Sequence, residues 1–191
     1  MARHNTREQI VEAGLKTLLE KGFNGVGVQE ITALAGVPKG SFYNHFESKE
    51  ALGAEIVERY GKASTRRLVL ADTSIAPLDR LRRYFQSLNE RLVESNFERG
   101  CLLGNFSAEM SNQSPLIRDS LAGLYARWTE DIAVAVKDGQ ADGSIPTKVE
   151  AGILAGYLLD AYQGALLRGR VERDNRSFDR FMQIAFGQIL T

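Results

Sequence analysis

Cysteine is nearly absent from this chain, because Cys101 is its single cysteine. A lone cysteine excludes an intrachain disulfide framework and a zinc site built on several cysteines, and it fits a reducing compartment. Long apolar runs are also missing: the longest, residues 151–159, falls far short of the roughly 20 residues of a membrane-spanning helix. The first residues are polar, so we expect no signal peptide and a soluble, cytoplasmic protein.

The sequence also lacks the motifs of common catalytic and cofactor sites. It contains no GxSxG, no HExxH and no phosphate-binding loop, and its histidines, His4 and His45, lie far apart. We therefore expect no enzymatic activity, no metal site and no cofactor. An excess of charge is absent too, since 24 basic residues balance 24 acidic ones. A nucleic-acid-binding protein of this composition would depend on a few well-placed contacts instead of a basic field.

Helical periodicity, in contrast, runs through the whole chain, and no strand pattern persists beyond four residues. It predicts an all-α protein of nine helices. Their expected ranges are about 6–21, 28–35, a short third helix opened by Pro38, 49–70, 77–94, 105–110, 115–137, 147–170 and a last helix from 175. The expected N-caps are Thr6, Ser48, Ser114 and Thr147, and Glu150 would complete a capping box behind Thr147.

The second and third helices have the pattern of a helix-turn-helix, two short helices joined by a glycine-containing turn. Gly36 permits a positive φ in the turn, and Pro38 suits a first helical turn. Phe42 and Phe46, four residues apart, are expected to face inward. The remaining faces of the third helix carry many hydrogen-bond donors, which indicates an anion-binding or DNA-binding surface.

Residues 6–52 resemble the TetR family of bacterial transcriptional regulators. The resemblance lies in the amphipathic first helix, the Gly22-Phe23 loop and the segment VQEITALAGVPKGSFYNHFESKEAL. It implies an all-α homodimer with a DNA-binding domain at 1–50 and an effector-binding and dimerisation domain at 51–191. Such proteins usually repress transcription from a palindromic operator in double-stranded DNA and release it when a small-molecule effector binds.

The resemblance also implies which residues contact DNA. The predicted set is Lys39, Gly40, Ser41, Tyr43, Asn44, His45 and Lys49. The first three match base-reading positions, where a lysine can donate to guanine. Tyr43, His45 and Lys49 match phosphate-contacting positions, and their donors suit phosphate oxygens. The alternative for Tyr43 and His45 is a half-buried role in capping the fourth helix. Val28 stands where the family often has a phosphate-binding threonine, so it is not included.

Residues 98–121 resemble the corresponding segment of a TetR subgroup, that of the N-ethylmaleimide reductase repressor, in which a cysteine senses electrophiles and hypochlorite. The matching residue is Cys101. The sensing lysine of that subgroup aligns loosely near Arg170, so the lysine is not preserved. Two interpretations of Cys101 stay open. It is either a small buried apolar residue or a reactive thiol, which requires exposure and a nearby positive charge.

An effector pocket is expected between the fifth, seventh and eighth helices, because ligand sites are mostly apolar with a few polar groups. The predicted lining is Phe85, Asn105, Phe106, Met110, Tyr125, Trp128, Tyr157 and Tyr162. Trp128 and Tyr162 are favoured, since each has a polar tip that needs a partner. The alternative is that these aromatic residues, which recur at helical spacing, form the core.

The last two helices are expected to form the dimer interface. Their apolar stripes contain small residues that allow close contact: Ala151, Ala155, Gly156 and Leu159, then Phe178, Phe181, Ala185 and Phe186. The alternative is an intrachain core. A further alternative for the whole protein is an architectural DNA-binding role without an effector, for which so large a second domain would be unnecessary.

Overall fold

A computed structural model describes residues 5–191, and every regular element in that range is a helix. The α-helices are α1 (Thr6–Lys21), α2 (Val28–Leu34), α3 (Lys39–Tyr43), α4 (Lys49–Ala63), α5 (Leu68–Ala71), α6 (Pro77–Glu94), α7 (Leu102–Met110), α8 (Pro115–Asp142), α9 (Ala151–Glu172) and α10 (Arg176–Ile184). A π-helical turn, Ala185–Ile189, extends α10. Over these residues all nine predicted helices are found, which confirms the all-α class.

The fourth helix ends earlier than its pattern predicts. The prediction of a single helix that continues to Leu70 is wrong. Helix α4 stops at Ala63, and a 3-10 turn, Thr65–Arg67, leads into the separate short helix α5. The Arg66 side chain donates from Nε to the carbonyl oxygen of Ser87 at 2.8 Å. This bond holds the 3-10 turn against α6.

Two of the four predicted N-caps are confirmed. Ser48 Oγ accepts the N–H of Ala51 at 3.1 Å and Ser114 Oγ accepts that of Ile117 at 3.3 Å. The cap of α1 is Asn5 and not Thr6, and the cap of α9 is Glu150 and not Thr147. The Glu150 carboxylate accepts two backbone N–H groups at 2.9 and 2.8 Å, so α9 begins at Ala151, after the position where the capping box was expected.

The chain divides into two compact units, and the first comprises the chain up to Ala63 together with Cys101–Leu124. It therefore continues past the boundary predicted near residue 50. Its core contains fully buried side chains from several helices: Ile10, Leu18, Ile31, Phe42, Leu52, Ile56 and Phe106. Glycines on α4 allow close packing, because a Cβ on Gly53 would meet Phe23 and Ile117, and one on Gly61 would overlap Leu124.

An ion-pair network fastens α1 to α4 within this unit. Arg7 and Arg59 both donate to the Glu55 carboxylate, and Arg59 also pairs with Glu8. The Arg7 guanidinium lies 4.9 Å from the ring centre of Phe46, the residue buried just after α3. Partial burial raises the pKa of Glu55, but hydrogen bonds and charge from Arg7 and Arg59 outweigh it and hold that pKa below its ordinary value.

The second unit comprises Ser64–Gly100 and Tyr125–Thr191. Phe85 lies at its centre, with the rings of Tyr84, Tyr162, Phe181 and Phe186 between 5.0 and 6.3 Å away. Most of these ring pairs are edge-on, the geometry that aromatic quadrupoles prefer. The α6–α9–α10 core is thus built from aromatic side chains.

A buried arginine also stabilises the second unit. Arg80 is 3% exposed, and its guanidinium donates to the Leu70 carbonyl oxygen at 2.9 Å and to the Asp138 carboxylate at 2.7 Å. It thereby ties α6 to α5 and to α8. Among the helices described here, from residue 5 onward, none is both long and apolar enough to cross a bilayer.

Candidate nucleic-acid interface and regulatory residues

The segment from α2 to α3 forms the tight turn that its glycine and proline predict. Gly36 has a φ of 69°, in the left-handed region, and the N–H of Val37 donates to the Thr32 carbonyl oxygen at 3.0 Å. Pro38 is the N-cap of α3, with a φ of −60°. Since α3 begins directly after this turn, the direction in which its side chains point is set by α2 and the core beneath it.

The short helix α3 has one buried face and one solvent-facing side. Phe42 is fully buried and Phe46 is 4% exposed, with their ring centres 5.5 Å apart. The predicted DNA-contacting residues around them are exposed or partly exposed: Lys39, Gly40, Ser41, Tyr43, Asn44 and His45. Tyr43 is 58% exposed. The half-buried capping role considered for Tyr43 and His45 requires burial that neither residue has.

Lys49, at the start of α4, is partly buried and makes contacts that the sequence pattern did not indicate. Its ammonium donates to the carbonyl oxygens of Phe23 and Val26, both at 2.9 Å, and lies 4.2 Å from the Phe23 ring centre. Two of its three N–H groups are thus directed at the loop between α1 and α2.

Glu109, on α7, holds the other side of the same loop, a contact that the sequence did not predict. Its Oε2 accepts the backbone N–H of Asn24 at 2.8 Å. Gly22 has a φ of 77°, and a Cβ at this residue would overlap the Glu109 carboxylate. Phe106, one turn earlier on α7, meets the Phe23 ring edge-on at 5.5 Å. Asn24 and Glu109 are 85 residues apart, so no local pattern could have revealed the contact.

The predicted effector-binding residues are divided between the two units. In the first, Phe106 and Met110 are buried and Asn105 is partly exposed. In the second, Phe85, Trp128 and Tyr162 are buried, Tyr125 is partly exposed, and Tyr157 is 49% exposed on α9. Within the second unit Phe85 and Tyr162 lie together, with ring centres 5.5 Å apart. Their arrangement shows a packed aromatic core around these two residues.

Cys101 is partly buried at the N-cap position of α7. The residue before it, Gly100, has the Arg170 guanidinium packed against it, with Nη1 2.7 Å from the position a Cβ would occupy. Arg170 also donates to the Glu98 carbonyl oxygen at 3.5 Å, and Arg173 donates to that of Asn96 at 3.1 Å. Two arginines from the end of α9 thus hold the loop that leads to Cys101.

The outer face of α9 carries an exposed stripe, defined here as Ile153, Tyr157, Asp160, Gly164, Leu167 and Val171. These residues follow one another at steps of four and three, so they share one face at about 3.6 residues per turn. All six are exposed, with Ile153 at 67%, Leu167 at 48% and Val171 at 84%. Four of the six, Ile153, Tyr157, Leu167 and Val171, are large apolar side chains, and several of these exposed on one helix face indicate an interaction surface.

The residues first expected in the dimer interface lie elsewhere. Ala151, Ala155 and Leu159 on α9 are buried inside the protomer, as are Phe178, Phe181, Ala185 and Phe186 after it. Gly156 is partly exposed, and a Cβ there would have no neighbour within 4 Å. Burial inside the protomer supports the intrachain-core alternative for seven of the eight, which lie on the inner faces of α9, α10 and the π-helical turn.

Comparison with known proteins covers both parts of the chain. The family described as "Bacterial regulatory proteins, tetR family" matches residues 10–56, and the one described as "Tetracyclin repressor-like, C-terminal domain" matches residues 77–185. The HTH-type transcriptional repressor DhaR of Mycobacterium sp. (strain GP1) is 39% identical, with 100% of this chain and 95% of DhaR aligned.

Solved structures match over nearly the whole length. The regulatory protein TetR from Rhodobacter sphaeroides superposes with a TM-score of 0.86 and 34% identity, over 94% of this chain and 96% of that one. The reduced form of Escherichia coli NemR superposes with a TM-score of 0.88 and 29% identity, over 95% of each chain.

Proposed function

Since this chain belongs to the TetR family of bacterial transcriptional regulators, we propose that it represses transcription by binding a palindromic operator as a homodimer, and that a small-molecule effector releases it. The family and the similar proteins are regulators and not enzymes. Because bacterial chromosomal DNA lies in the cytoplasm, we expect the protein to act there.

The observation that carries the proposal is the exposed donor side of α3 above its buried phenylalanines. In this proposal the start of α3 enters the major groove, where the exposed Lys39 donates to a guanine and Ser41 contacts a neighbouring base edge. Gly40 has open space around it, which permits close approach of the backbone. Tyr43 and His45 donate to phosphate oxygens and fix the register of the helix.

Lys49 has a double role in this proposal. Two carbonyl oxygens of the loop after α1 hold its ammonium, and its third N–H anchors a phosphate. Asn44, exposed at the end of α3, adds a donor on the same side. These contacts with phosphate carry no sequence information, so sequence preference rests on Lys39 to Ser41.

We place the homodimer contact on the exposed stripe of α9. A two-fold interface uses the same patch on both protomers, and the exposed apolar side chains of the stripe, Ile153, Tyr157, Leu167 and Val171, can pack against those of a second copy. The pair would present two α3 helices to successive turns of the operator, about 34–36 Å apart. The two-fold symmetry of the dimer is why the operator is expected to be palindromic, and the spacing sets the distance between its half-sites.

Selection of binding sites from a random pool of duplexes tests the DNA-binding proposal. We expect enrichment of a palindrome, followed by tight, salt-dependent binding measured by fluorescence anisotropy. Replacement of Lys39 by Ala should reduce discrimination at one base pair of each half-site by about 1–3 kcal/mol, whereas Lys16→Ala, at an exposed position of α1, should leave discrimination unchanged. If no sequence is enriched, the proposal of a specific operator is refuted. If Lys39→Ala discriminates between bases as well as the wild type does, the proposed base contact of Lys39 is refuted.

For the effector, we propose noncovalent binding in the second domain, next to the aromatic residues Phe85, Trp128 and Tyr162. These residues are buried and mostly apolar, as the lining of a small-molecule site usually is, and an effector would have to separate their packed side chains. The gene transcribed next to this one, once identified, indicates which compounds to test first. An effector can release the operator only if its affinities for the DNA-binding and DNA-free states differ, so a compound that binds equally well with and without operator would not be the inducer.

A thiol-based signal is the second candidate, and the partial exposure of Cys101 at the N-cap position of α7 favours it. A cysteine that is accessible to small electrophiles can be alkylated, and the thiolate is its reactive form. N-ethylmaleimide, which alkylates thiols, should then release wild-type protein from its operator and leave the Cys101→Ser variant bound. If the variant is released at the same concentration, Cys101 is not the sensor.

A further inference from the structure

The peptide group between Phe23 and Asn24 lies between two opposite charges. Its carbonyl oxygen, on Phe23, accepts a hydrogen bond from the Lys49 ammonium at 2.9 Å. Its N–H, on Asn24, donates to the Glu109 carboxylate at 2.8 Å. A single planar amide therefore connects a cation at the start of α4 with an anion on α7, all within the first compact unit.

The geometry makes each of these bonds strengthen the other. A cation at the carbonyl oxygen and an anion at the N–H both favour the charge-separated resonance form of the amide, and hydrogen bonds that share a group polarise one another. Both bonds are charge-assisted, so each is stronger than a bond between neutral groups. Removal of the Glu109 charge should consequently weaken the hold of the Phe23 carbonyl on the Lys49 ammonium.

The loop between α1 and α2 leaves room for the Glu109 carboxylate. Gly22 has no side chain where the carboxylate lies, and a Cβ there would overlap it. The neighbouring Phe23 ring is buried against Phe106, one turn before Glu109 on α7. The Val26 carbonyl oxygen accepts a second hydrogen bond from the Lys49 ammonium, at 2.9 Å. The same loop is thus held from α7 on one side and from α4 on the other.

We propose that Glu109 is a positioning residue for operator binding, which acts through the Phe23–Asn24 peptide to hold the Lys49 ammonium in place for its phosphate contact. Glu109 itself does not touch DNA in this proposal. The inference rests on the proposed DNA-binding function, because Lys49 is assigned there to a phosphate. It adds a residue of α7, far from the helix-turn-helix in sequence, to the groups that determine operator affinity.

The sign of the effect separates this proposal from simple electrostatics. Removing a negative charge from a DNA-binding protein normally strengthens binding, because repulsion of the phosphates decreases. Glu109→Gln should instead weaken operator binding about threefold to tenfold, within the range of couplings measured between residues in contact. Glu12→Gln removes the same charge from an exposed position on α1 and should leave affinity unchanged or slightly higher.

A double-mutant cycle tests whether Glu109 acts through Lys49. The affinities of wild type, Glu109→Gln, Lys49→Met and the double variant are measured on the same selected duplex at one salt concentration. In the Lys49→Met background, Glu109→Gln should have no further effect. Equal effects of Glu109→Gln in both backgrounds, or affinity at least equal to wild type for the single variant, would overturn the proposal while leaving the DNA-binding function standing. Failure of wild type to bind any duplex would count against that function instead.

A second measurement needs no DNA and compares variants whose free energy of unfolding equals that of the wild type. Amide hydrogen exchange of Asn24, followed by NMR in the full-length free protein, reports directly on its bond to Glu109. Glu109→Gln should speed this exchange, and Lys49→Met should speed it too, because the two bonds share one peptide. Unchanged exchange at Asn24 in Lys49→Met would contradict the coupling.

Discussion

Truncation of Leu167 to Ala should weaken the homodimer while leaving the protomer folded. Leu167 lies near the middle of the exposed stripe of α9 and is 48% exposed in the protomer. Its inner half packs within the protomer, and its outer half is free to pack against a second copy. In a two-fold interface every substitution is present twice, so one changed residue removes two contacts from each dimer.

The expected magnitude follows from the exposed fraction. Full burial of a leucine side chain is worth about 2 kcal/mol, so burying the exposed half in the interface contributes about 1 kcal/mol per copy. Two copies give about 2 kcal/mol per dimer, which corresponds to a roughly 30-fold increase in the dimer dissociation constant. Ile153, at 67% exposed, should show a larger increase when truncated in the same way.

Sedimentation equilibrium over a range of protein concentrations measures this constant. Leu116→Ala is a matched control, because Leu116 is a leucine of similar exposure, 51%, on α8 and lies outside the stripe. Both truncations should lower the free energy of unfolding of the protomer by similar amounts. Only Leu167→Ala should shift the dimer equilibrium. An equal shift in both variants, or none in either, would refute the placement of the interface on α9.

Two further predictions concern stability. Replacement of the buried Arg80 by Met should lower the free energy of unfolding by about 2–3 kcal/mol, since the Leu70 carbonyl loses a charged donor. Asp138→Asn should lower it by only about 1 kcal/mol. The Asp138 side chain is 43% exposed, and the amide that replaces it still accepts a hydrogen bond from Arg80. Equal losses in urea unfolding would contradict this. Because the pKa of Glu55 is lowered by its arginine partners, the stability that its ionised form contributes is present at neutral pH and is lost as the pH falls below about 4, the ordinary range of a glutamate. The difference in unfolding free energy between wild type and Glu55→Gln should therefore decrease on acidification, and a constant difference would show that the ion pairs are not responsible.

Local chemistry explains what could be predicted from the sequence. Gly36 and Pro38 indicate a turn, and the spacing of Phe42 and Phe46 indicates which side of α3 is buried. These features depend on residues close together in the chain, and the structure has them as expected. The cap of α9 was misplaced by a few residues because both Thr147 and Glu150 can accept backbone N–H groups, and only the path of the chain decides between them.

Contacts between distant segments could not be predicted. The sequence shows that position 49 is a lysine. It does not show which groups accept hydrogen bonds from it, because these are backbone carbonyl oxygens of the loop after α1, and every residue has a backbone carbonyl. The bond between Glu109 and Asn24 depends on α7 packing against that loop. Likewise, both faces of α9 carry large apolar side chains. Their periodicity did not show which face is buried in the protomer and which is exposed.

The discontinuous make-up of the first unit has a consequence for how the protein is made. Phe23, Gly53 and Gly61 find their packing partners in Phe106, Ile117 and Leu124, which the ribosome adds dozens of residues later. The helix-turn-helix can begin to form as soon as it emerges, but its surroundings are complete only once residue 124 has been synthesised. For the same reason, a hybrid regulator assembled by grafting only residues 1–63 onto another protein would lack these partners, and a graft that also carries residues 101–124 would retain them.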